Sequence, residues 1–518
     1  MATKENLACC TLCPGLCTLG LGWNGPDLPR VEYPSDSGAG LCPRGSALGE
    51  LLGSQARLRW PRRREGRRLA DVDFSGAIAA AAERMSGGAT VLMDGGCSVE
   101  EIAAAAEIAA AWEGVRLCLV VAPDDEQVLL GVEASGANYL ADEELANCDG
   151  FVVVGDPFAV NPRCARGVLD AVRAQRRVPL VVIDSGGGVS AGFATMRAGC
   201  RAGGELEALQ SDAVASAVEP CRKLGVLLAA DPGRGAGWGR IGYLAGKLAN
   251  AHGGGVSVQT VGANALAAVR ARKQLGLGSL AEAATPGRGE AVRVALGVDV
   301  LGLLGWPGPA VAVAAAPVPN ATTRSAEIIL PLALPCESGG TFLQAGTRRV
   351  STAPLLSPPA GVPTPAELLA KLAAAAGVKA GPWSGKMPSL DRLTVEAPAE
   401  VAAGSTTGRS LVAASQASLD AGGALMGQAS WQSQLRSLPE LRMCPADARE
   451  LGVGDLAEVT VETESHSTAA RVRLVDWMAA GTMAISAGFY EARKLLPYTI
   501  DAERDMVVSR PAAVQVSK

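Results

Sequence analysis

Residues 150–184 read GFVVVGDPFAVNPRCARGVLDAVRAQRRVPLVVID, and this stretch decides the fold. Two continuous Val/Ile/Leu runs, 150–155 and 178–184, flank a helical pattern over Cys164–Arg176. A strand apolar on both faces, followed by a helix and another such strand, predicts a parallel sheet covered by helices on both sides. The same alternation extends outward. The run 89–93 (ATVLM) predicts a strand ending in Asp94-Gly95-Gly96, and Val99–Trp112 an alanine-rich helix whose acidic first turn suits the helix dipole. Val115–Val121 and Gly225–Ala230 read as further strands, Ile241–His252 as a helix, and Val298–Leu304 and Ala326–Pro331 as closing strands. After Ser410, the segments 456–461, 470–475 and 482–486 read as short strands of a C-terminal barrel.

The expected class is α/β, with a small N-terminal module, two doubly wound parallel-sheet domains and a C-terminal β-barrel. The expected divisions are 1–68, 69–224, 225–404 and 405–518, the third including a proline- and alanine-rich crossover from Pro354 to Gly404 with a helix near Ala366–Ala376. With 518 residues, 48% hydrophobic and 19% charged, the chain reads as globular. A net charge of −5 implies no broad basic surface for nucleic acid. The basic run Arg57–Arg68 reads as a solvated linker rather than a phosphate patch. The most apolar stretch, Gly297–Pro319, carries Asp299 and four prolines, which suits a core rather than lipid.

The N-terminal module carries the chemistry. Cys10, Cys13 and Cys17 are spaced C-x-x-C-x-x-x-C, and Cys42 follows in LCPRG. Four thiolates satisfy a cubane [4Fe–4S] cluster. Zinc is the competing ligand, although its sites usually pair two short Cys hairpins, and the chain has only two histidines, His252 and His466. Cys9 competes with Cys10, but the spacing favours Cys10. The first residues lack a basic-then-apolar leader, so a reducing cytoplasm is expected and disulfides are not. The remaining cysteines read as core thiols.

Taken together, these residues resemble the molybdopterin (pterin guanine dinucleotide) oxidoreductases. That family includes formate dehydrogenases, formylmethanofuran dehydrogenases and the large iron–sulfur subunit of respiratory complex I. Cys10, Cys13, Cys17 and Cys42 resemble its cluster motif, and Arg44 its cation between cluster and pterin, the residue the resemblance makes catalytic. Asp156 with Asn161 resembles its strand-end segment facing the dinucleotide, and Asn264 its pterin-facing asparagine. The segment 326–348, with Glu337, Thr341 and Arg348, is similar to its cofactor block, and 441–455 to its dinucleotide-binding barrel. Glycine-bearing turns at strand ends let backbone N–H groups approach phosphates, and Asp184 could hold a ribose hydroxyl or a guanine edge, or only cap its own turn.

The pattern also departs from the family. Where catalytic members present a metal ligand, this chain has Asp124 and Asp125, which read either as oxygen donors or as helix N-terminal residues. Gln344 replaces an asparagine of the cofactor block, and no histidine falls near the expected metal. The resemblance implies a [4Fe–4S] cluster, with a guanine-dinucleotide pterin carrying Mo or W as a further cofactor. Three functions are therefore expected to compete. The first is oxidation or reduction of formate or a formyl group, with electrons leaving singly through the cluster. The second is a metal-free relay or scaffold as in complex I, and the third a zinc-stabilised structural subunit. Expected partners are ferredoxin-like, flavoprotein or hydrogenase-type subunits, without nucleic acid and without a membrane span.

Overall fold

A computed structural model of the chain describes residues 7–22, 29–34, 42–174, 178–234, 237–285, 292–306, 308–344, 348–399, 408–414, 438–501 and 506–518. The N-terminal module is a three-stranded antiparallel sheet, β1 (Leu7–Cys9), β2 (Thr18–Gly22) and β3 (Arg30–Glu32), followed by helix α1 (Pro43–Gly53). Leu19, Leu48 and Leu51 are buried between this sheet and α1.

Two sheets form the body. The larger has seven strands: β4 (Arg62–Glu65), β5 (Arg68–Asp71), β6 (Ala89–Asp94), β7 (Val115–Val120), β13 (Val292–Leu296), β14 (Val311–Ala316) and β15 (Ile328–Pro331). Their order is β5-β4-β15-β14-β13-β6-β7, and all but the β4–β5 hairpin run parallel. The smaller sheet comprises β8 (Gly150–Val154), β9 (Leu180–Ile183), β10 (Met196–Arg197), β11 (Leu224–Leu228) and β12 (Gly255–Val258). It is fully parallel in the order β10-β9-β8-β11-β12. Every residue of β8, β9, β11 and β12 is buried, the burial that their unbroken apolar runs require. The smaller sheet is thus inserted between β7 and β13 of the larger one, and the strands sort between sheets differently from their order along the chain.

The segment read as a strand over Val298–Leu304 is a correction. β13 ends at Leu296, and Val300–Leu304 is a short helix. Asp299 starts it, accepting from Gly302 N at 3.1 Å and from Thr322 N at 3.0 Å. A brief apolar run does not separate strand from helix by periodicity alone, and the capping acid decides it.

Helix α2 (Phe74–Met85) and helix α3 (Val99–Ala110) cover the larger sheet. Ser98 caps α3 by accepting from Glu101 N at 3.3 Å. Helix α4 (Pro123–Ser135) leaves the end of β7 and packs along the helix Trp238–Ala251. The two backbones nearly touch. A Cβ on Gly131 would lie 2.0 Å from the Gly239 carbonyl oxygen, and one on Gly242 2.4 Å from that of Val128. Gly131→Ala is therefore expected to force the helices apart at a cost of about 3 kcal/mol, the upper part of the overpacking range, read as a lower urea midpoint at an unchanged m-value.

The hairpin β16 (Gly340–Leu343) and β17 (Arg349–Thr352) lies against the cysteine module, where Cys9 N donates to Thr352 Oγ1 at 2.8 Å. The C-terminal part is a seven-stranded half-barrel. It comprises β18 (Ser410–Ala414), β19 (Glu440–Met443), β20 (Glu458–Glu462), β21 (Ser467–Leu474), β22 (Thr482–Ser486), β25 (Ala512–Ala513) and β26 (Gln515–Ser517). Their order is β25-β18-β22-β19-β21-β20-β26. A separate hairpin, β23 (Tyr498–Asp501) and β24 (Met506–Ser509), reaches from it toward α4. Among the described residues, no helix is long and apolar enough to cross a membrane.

Candidate functional site

A cavity of about 300 Å³ opens where the carboxyl ends of both parallel sheets meet. The turn Asp94–Cys97 after β6, Val121 after β7 and Gly297–Asp299 after β13 line it from one sheet. Asp231 after β11 and Val261–Ala263 after β12 line it from the other. Ligands of open α/β sheets bind at such strand ends, and the volume lies in the range of small-molecule sites. A Cβ on Gly262 would meet nothing within 4 Å, so the backbone there faces open space in which a ligand can approach closely.

The cysteine module closes one end through Thr11, Leu12 and Arg44. Cys10 and Cys13 are buried, and Cys17 and Cys42 half-buried. The loop is closed by Cys10 N donating to Cys17 O at 2.8 Å, and Leu16 adopts a left-handed φ of 42° to make the turn. Cys42 stands at the N-cap of α1. Burial pushes the Cys10 thiol well up, and the charges of Cys13, Cys17 and Cys42 push it the same way. Cys17 is raised to about 12, by burial first and then by Cys13. Cys13 is raised by burial, which the Arg44 guanidinium opposes. The four thiols thus share one electrostatic neighbourhood. Among the described residues, no three His, Cys, Asp or Glu side chains are grouped so as to hold a metal ion.

Arg44 is 6% exposed, donates through Nη2 to the Val160 carbonyl, and leaves Nε without a partner among the described residues. It lines the cavity, and its charge acts on the Cys13 thiol. The loop of Cys10–Cys17 is seated on the helix Pro162–Ala174 and on the end of β16 through Gly15, whose carbonyl accepts from Arg163 Nη1 at 2.9 Å and from Gln344 Nε2 at 3.1 Å. Cys9 points into a different cluster, with Leu16, Ala263 and Phe342, away from the core of Cys10 and Cys17.

Of the residues expected around a cofactor, Arg44 and the candidate oxygen donors Asp124 and Asp125 line the cavity, and the others do not. Asn161 donates through Nδ2 to Asp142 and to Gln259, both at 2.9 Å, beneath Gly15. Asn264 donates to the Cys97 carbonyl at 2.7 Å and accepts from Leu343 N at 2.9 Å, fixing the turn after β6 to β16. Glu337 receives both Nη groups of Arg57, at 2.9 and 2.8 Å. Thr341 donates its backbone N–H and its hydroxyl to Glu100, each at 2.7 Å. Arg348 is exposed, 3.7 Å from Glu143.

Asp156 and Asp184 meet in one network at the half-barrel. Asp156 accepts from Val189 N at 2.7 Å, Ser190 N at 2.8 Å and Ser190 Oγ at 2.6 Å. Asp184 accepts from the backbone of Gly186 at 2.9 Å and Gly188 at 2.5 Å, and pairs with Arg234 at 3.1 Å. Arg234 also faces Asp231 at 3.3 Å and Glu205 at 3.6 Å, and Arg442 of β19 donates to the Gly187 carbonyl at 3.3 Å. The glycine turn 185–188 therefore lies against the half-barrel, with part of its backbone held by the protein's own carboxylates.

At the far end of the cavity, Asp124 and Asp125 occupy the first turn of α4, 2% and 1% exposed. Tyr498 Oη donates to Asp124 Oδ2 at 2.6 Å, and Val261 N donates to Asp125 Oδ2 at 2.8 Å. Neither Oδ1 has a partner among the described residues. Burial raises Asp124 to about 7 and Asp94 to about 6, and lifts Asp125 well above the usual carboxylate range. Sequence reading missed Asp94, Asp231, Arg493 and Tyr498 as cavity residues. Asp94 carried a signal, an acid at a strand end before two glycines; Arg493 and Tyr498 carried none, because they arrive from the far end of the chain.

These raised carboxyls make stability fall with pH. Asp94 keeps its proton in the folded chain between about pH 4 and 6, where the unfolded chain has released it. Its stabilisation is complete below pH 4 and lost as pH rises through 6. Asp94→Asn is expected to remove about 3 kcal/mol of this pH dependence, a shift of about two pKa units, measured as the difference in urea stability between pH 4 and pH 8. An unchanged difference would contradict the assigned environment.

The likeness to known proteins follows this architecture. Residues 421–512, which take in most of the half-barrel and the hairpin β23–β24, match the family model described as Molydopterin dinucleotide binding domain. The match lies within the C-terminal domain. The resemblance read from the sequence therefore stands for this domain and for the fold. Acetylene hydratase from Pelobacter acetylenicus has the same fold, with a TM-score of 0.68 over 99% of this chain and 100% of that one, at 12% identity. No curated protein sequence matches the chain significantly, so the likeness is carried by shape and by this one domain.

Proposed function

We propose that the chain is a molybdopterin-dinucleotide oxidoreductase subunit that carries a [4Fe–4S] cluster on Cys10, Cys13, Cys17 and Cys42. The observation that carries this reading is the position of Arg44, which is buried, lines the cavity at the strand ends of both sheets and acts through its charge on the Cys13 thiol. The donor set fits the cluster, since thiolates are its preferred ligands. The cavity fits a pterin-sized group, with the open backbone at Gly262 and the unpartnered Arg44 Nε as contacts. The dinucleotide end would lie along the Asp156–Asp184 turn and the half-barrel, with Asp184, Asn161, Asn264, Glu337 and Thr341 shaping the surrounding loops and Arg348 at the surface. A Mo or W centre on the pterin supplies two-electron exchange with a substrate.

The chain's own residues do the rest. Apolar walls exclude water, Arg44 holds positive charge at the cavity wall, and the half-buried Cys17 and Cys42 give a partner protein an approach. Formate or a formyl group remains the proposed substrate class, and a reducing cytoplasm the proposed setting. One observation favours the electron-relay alternative without a working pterin: the backbone N–H groups of Gly186, Gly188, Val189 and Ser190 already donate to Asp184 and Asp156, which leaves fewer donors for a diphosphate. Oxidative extraction of the purified protein tests between them. A fluorescent pterin product together with released GMP is expected; its absence would favour the relay.

A further inference from the structure

We propose that the arginine-rich hairpin β4–β5 is a docking edge for an acidic, extended segment of a partner protein, which adds to the sheet as a strand beside β5. The basic run reads as a linker in the sequence, yet it folds into an antiparallel pair with Arg62 opposite Asp71 and Glu65 opposite Arg68. β5 is the outermost strand of the seven-stranded sheet, and among the described residues it pairs with β4 alone. Such a strand turns alternate N–H and C=O groups away from its neighbour, where a further strand can bond to them. Three of its four residues are exposed, Leu69 among them at 37%. None of residues 59–71 lines the cavity, so the proposal stands apart from the reading of that site.

Charge identifies the occupant. Residues 59–68 hold six arginines and one acid, in a chain whose net charge is −5. The fold uses two of the six: Arg62 pairs with Asp71 at 3.0 Å, and Arg64 donates to the carbonyls of Ala326, at 3.1 Å, and Arg324. The cross-strand register places both on one face of the hairpin, with Leu69 and Asp71. Arg63 and Arg68 fall on the other face, with Glu65 and Ala70. Among the described residues, Arg59, Arg63, Arg67 and Arg68 are exposed and form no ion pair. Nearby acids are already engaged, Glu327 by Arg84 and Asp73 by the first turn of α2. Trp60, at the start of the hairpin, is 66% exposed, the most exposed large apolar side chain among the described residues. Tryptophan and arginine are the side chains that most often anchor protein interfaces. Charges on an outer strand can instead keep sheets from pairing edge to edge. A guard of that kind needs no exposed tryptophan and takes up no strand. Nucleic acid and anionic lipid share the attraction to arginine, but neither bonds to a strand's backbone.

Fluorescence anisotropy with the purified full chain tests the proposal, the probe being a fluorescein-labelled peptide of alternating Glu and Val. Binding that weakens as salt rises is expected. Arg63→Glu with Arg68→Glu should bind the peptide about tenfold more weakly, because two attractions become repulsions. Trp60→Ala is expected to lose a similar factor. Replacing the peptide's Glu by Lys, or methylating its alternate backbone nitrogens, should abolish binding to the unaltered chain, a control that holds whether or not the variants fold. Hydrogen exchange gives a second measurement, since an added strand should slow exchange of the amides in 68–71. Failure of the acidic peptide to bind, undiminished binding to the doubly reversed variant, or unslowed exchange in 68–71 would overturn the proposal. Tighter binding of oligothymidylate or of phosphatidylserine vesicles would overturn it as well. No readout depends on pterin or iron, so failure here is distinct from failure of the proposed function.

Discussion

Cys17→Ser is expected to reduce bound iron from about four atoms per chain to less than about one, because a cubane cluster that loses one of four thiolates loses its anchorage. Cys17 is a half-buried member of the set, and its charge interacts with those of Cys13 and Cys42. Metal binding must draw the proton from a thiol that burial holds up near 12, so the cluster's own charge supplies the driving force. Cys9→Ser provides the control. Its side chain packs with Phe342 and Ala263, apart from the core that holds Cys10 and Cys17, and its iron content should remain that of the unaltered protein. Iron retained in Cys17→Ser, or lost equally in Cys9→Ser, would show the ligand set to be wrong.

Arg57→Ala is expected to destabilise the fold by about 3–5 kcal/mol, the cost of stranding a buried charge. The side chains of Arg57 and Glu337 are 0% and 1% exposed, and they meet through two hydrogen bonds of 2.9 and 2.8 Å. Glu337 also accepts from Leu334 N at 2.8 Å and so holds the turn that lines the cavity beside Cys336. With Arg57 gone, that carboxylate keeps only the backbone donor. The double substitution Arg57→Met with Glu337→Met should recover most of the loss, since a matched apolar pair leaves no charge buried. Urea unfolding of the unaltered chain and both variants measures this. A loss below about 1 kcal/mol in Arg57→Ala would place the pair in the class of exposed ion pairs and contradict its burial.

Much of the fold is legible in the sequence because parallel strands buried on both faces leave unbroken apolar runs. Gly150–Val154, Leu180–Ile183 and Leu224–Leu228 are strands for that reason. Which sheet each strand joins is not legible. The five-stranded sheet is inserted between β7 and β13, and no local pattern marks such a long-range pairing. The run after Gly297 reads as a strand because short apolar segments suit helix and strand alike, while Asp299 holds the deciding signal for a helix.

The site divides in the same way. The cysteine spacing and Arg44 are local, and Arg44 lines the cavity and acts on Cys13. Asp156, Asp184 and Asn264 are recognisable as polar residues at strand ends, yet their bonds to Ser190, Arg234 and Cys97 depend on the assembled fold. Tyr498 reaches Asp124 across 374 residues of sequence, a pairing that only the structure reveals.

Elemental analysis of the purified chain tests the central claim most directly. The account predicts about four iron atoms per chain, accompanied by molybdenum or tungsten. Zinc in place of iron would contradict it.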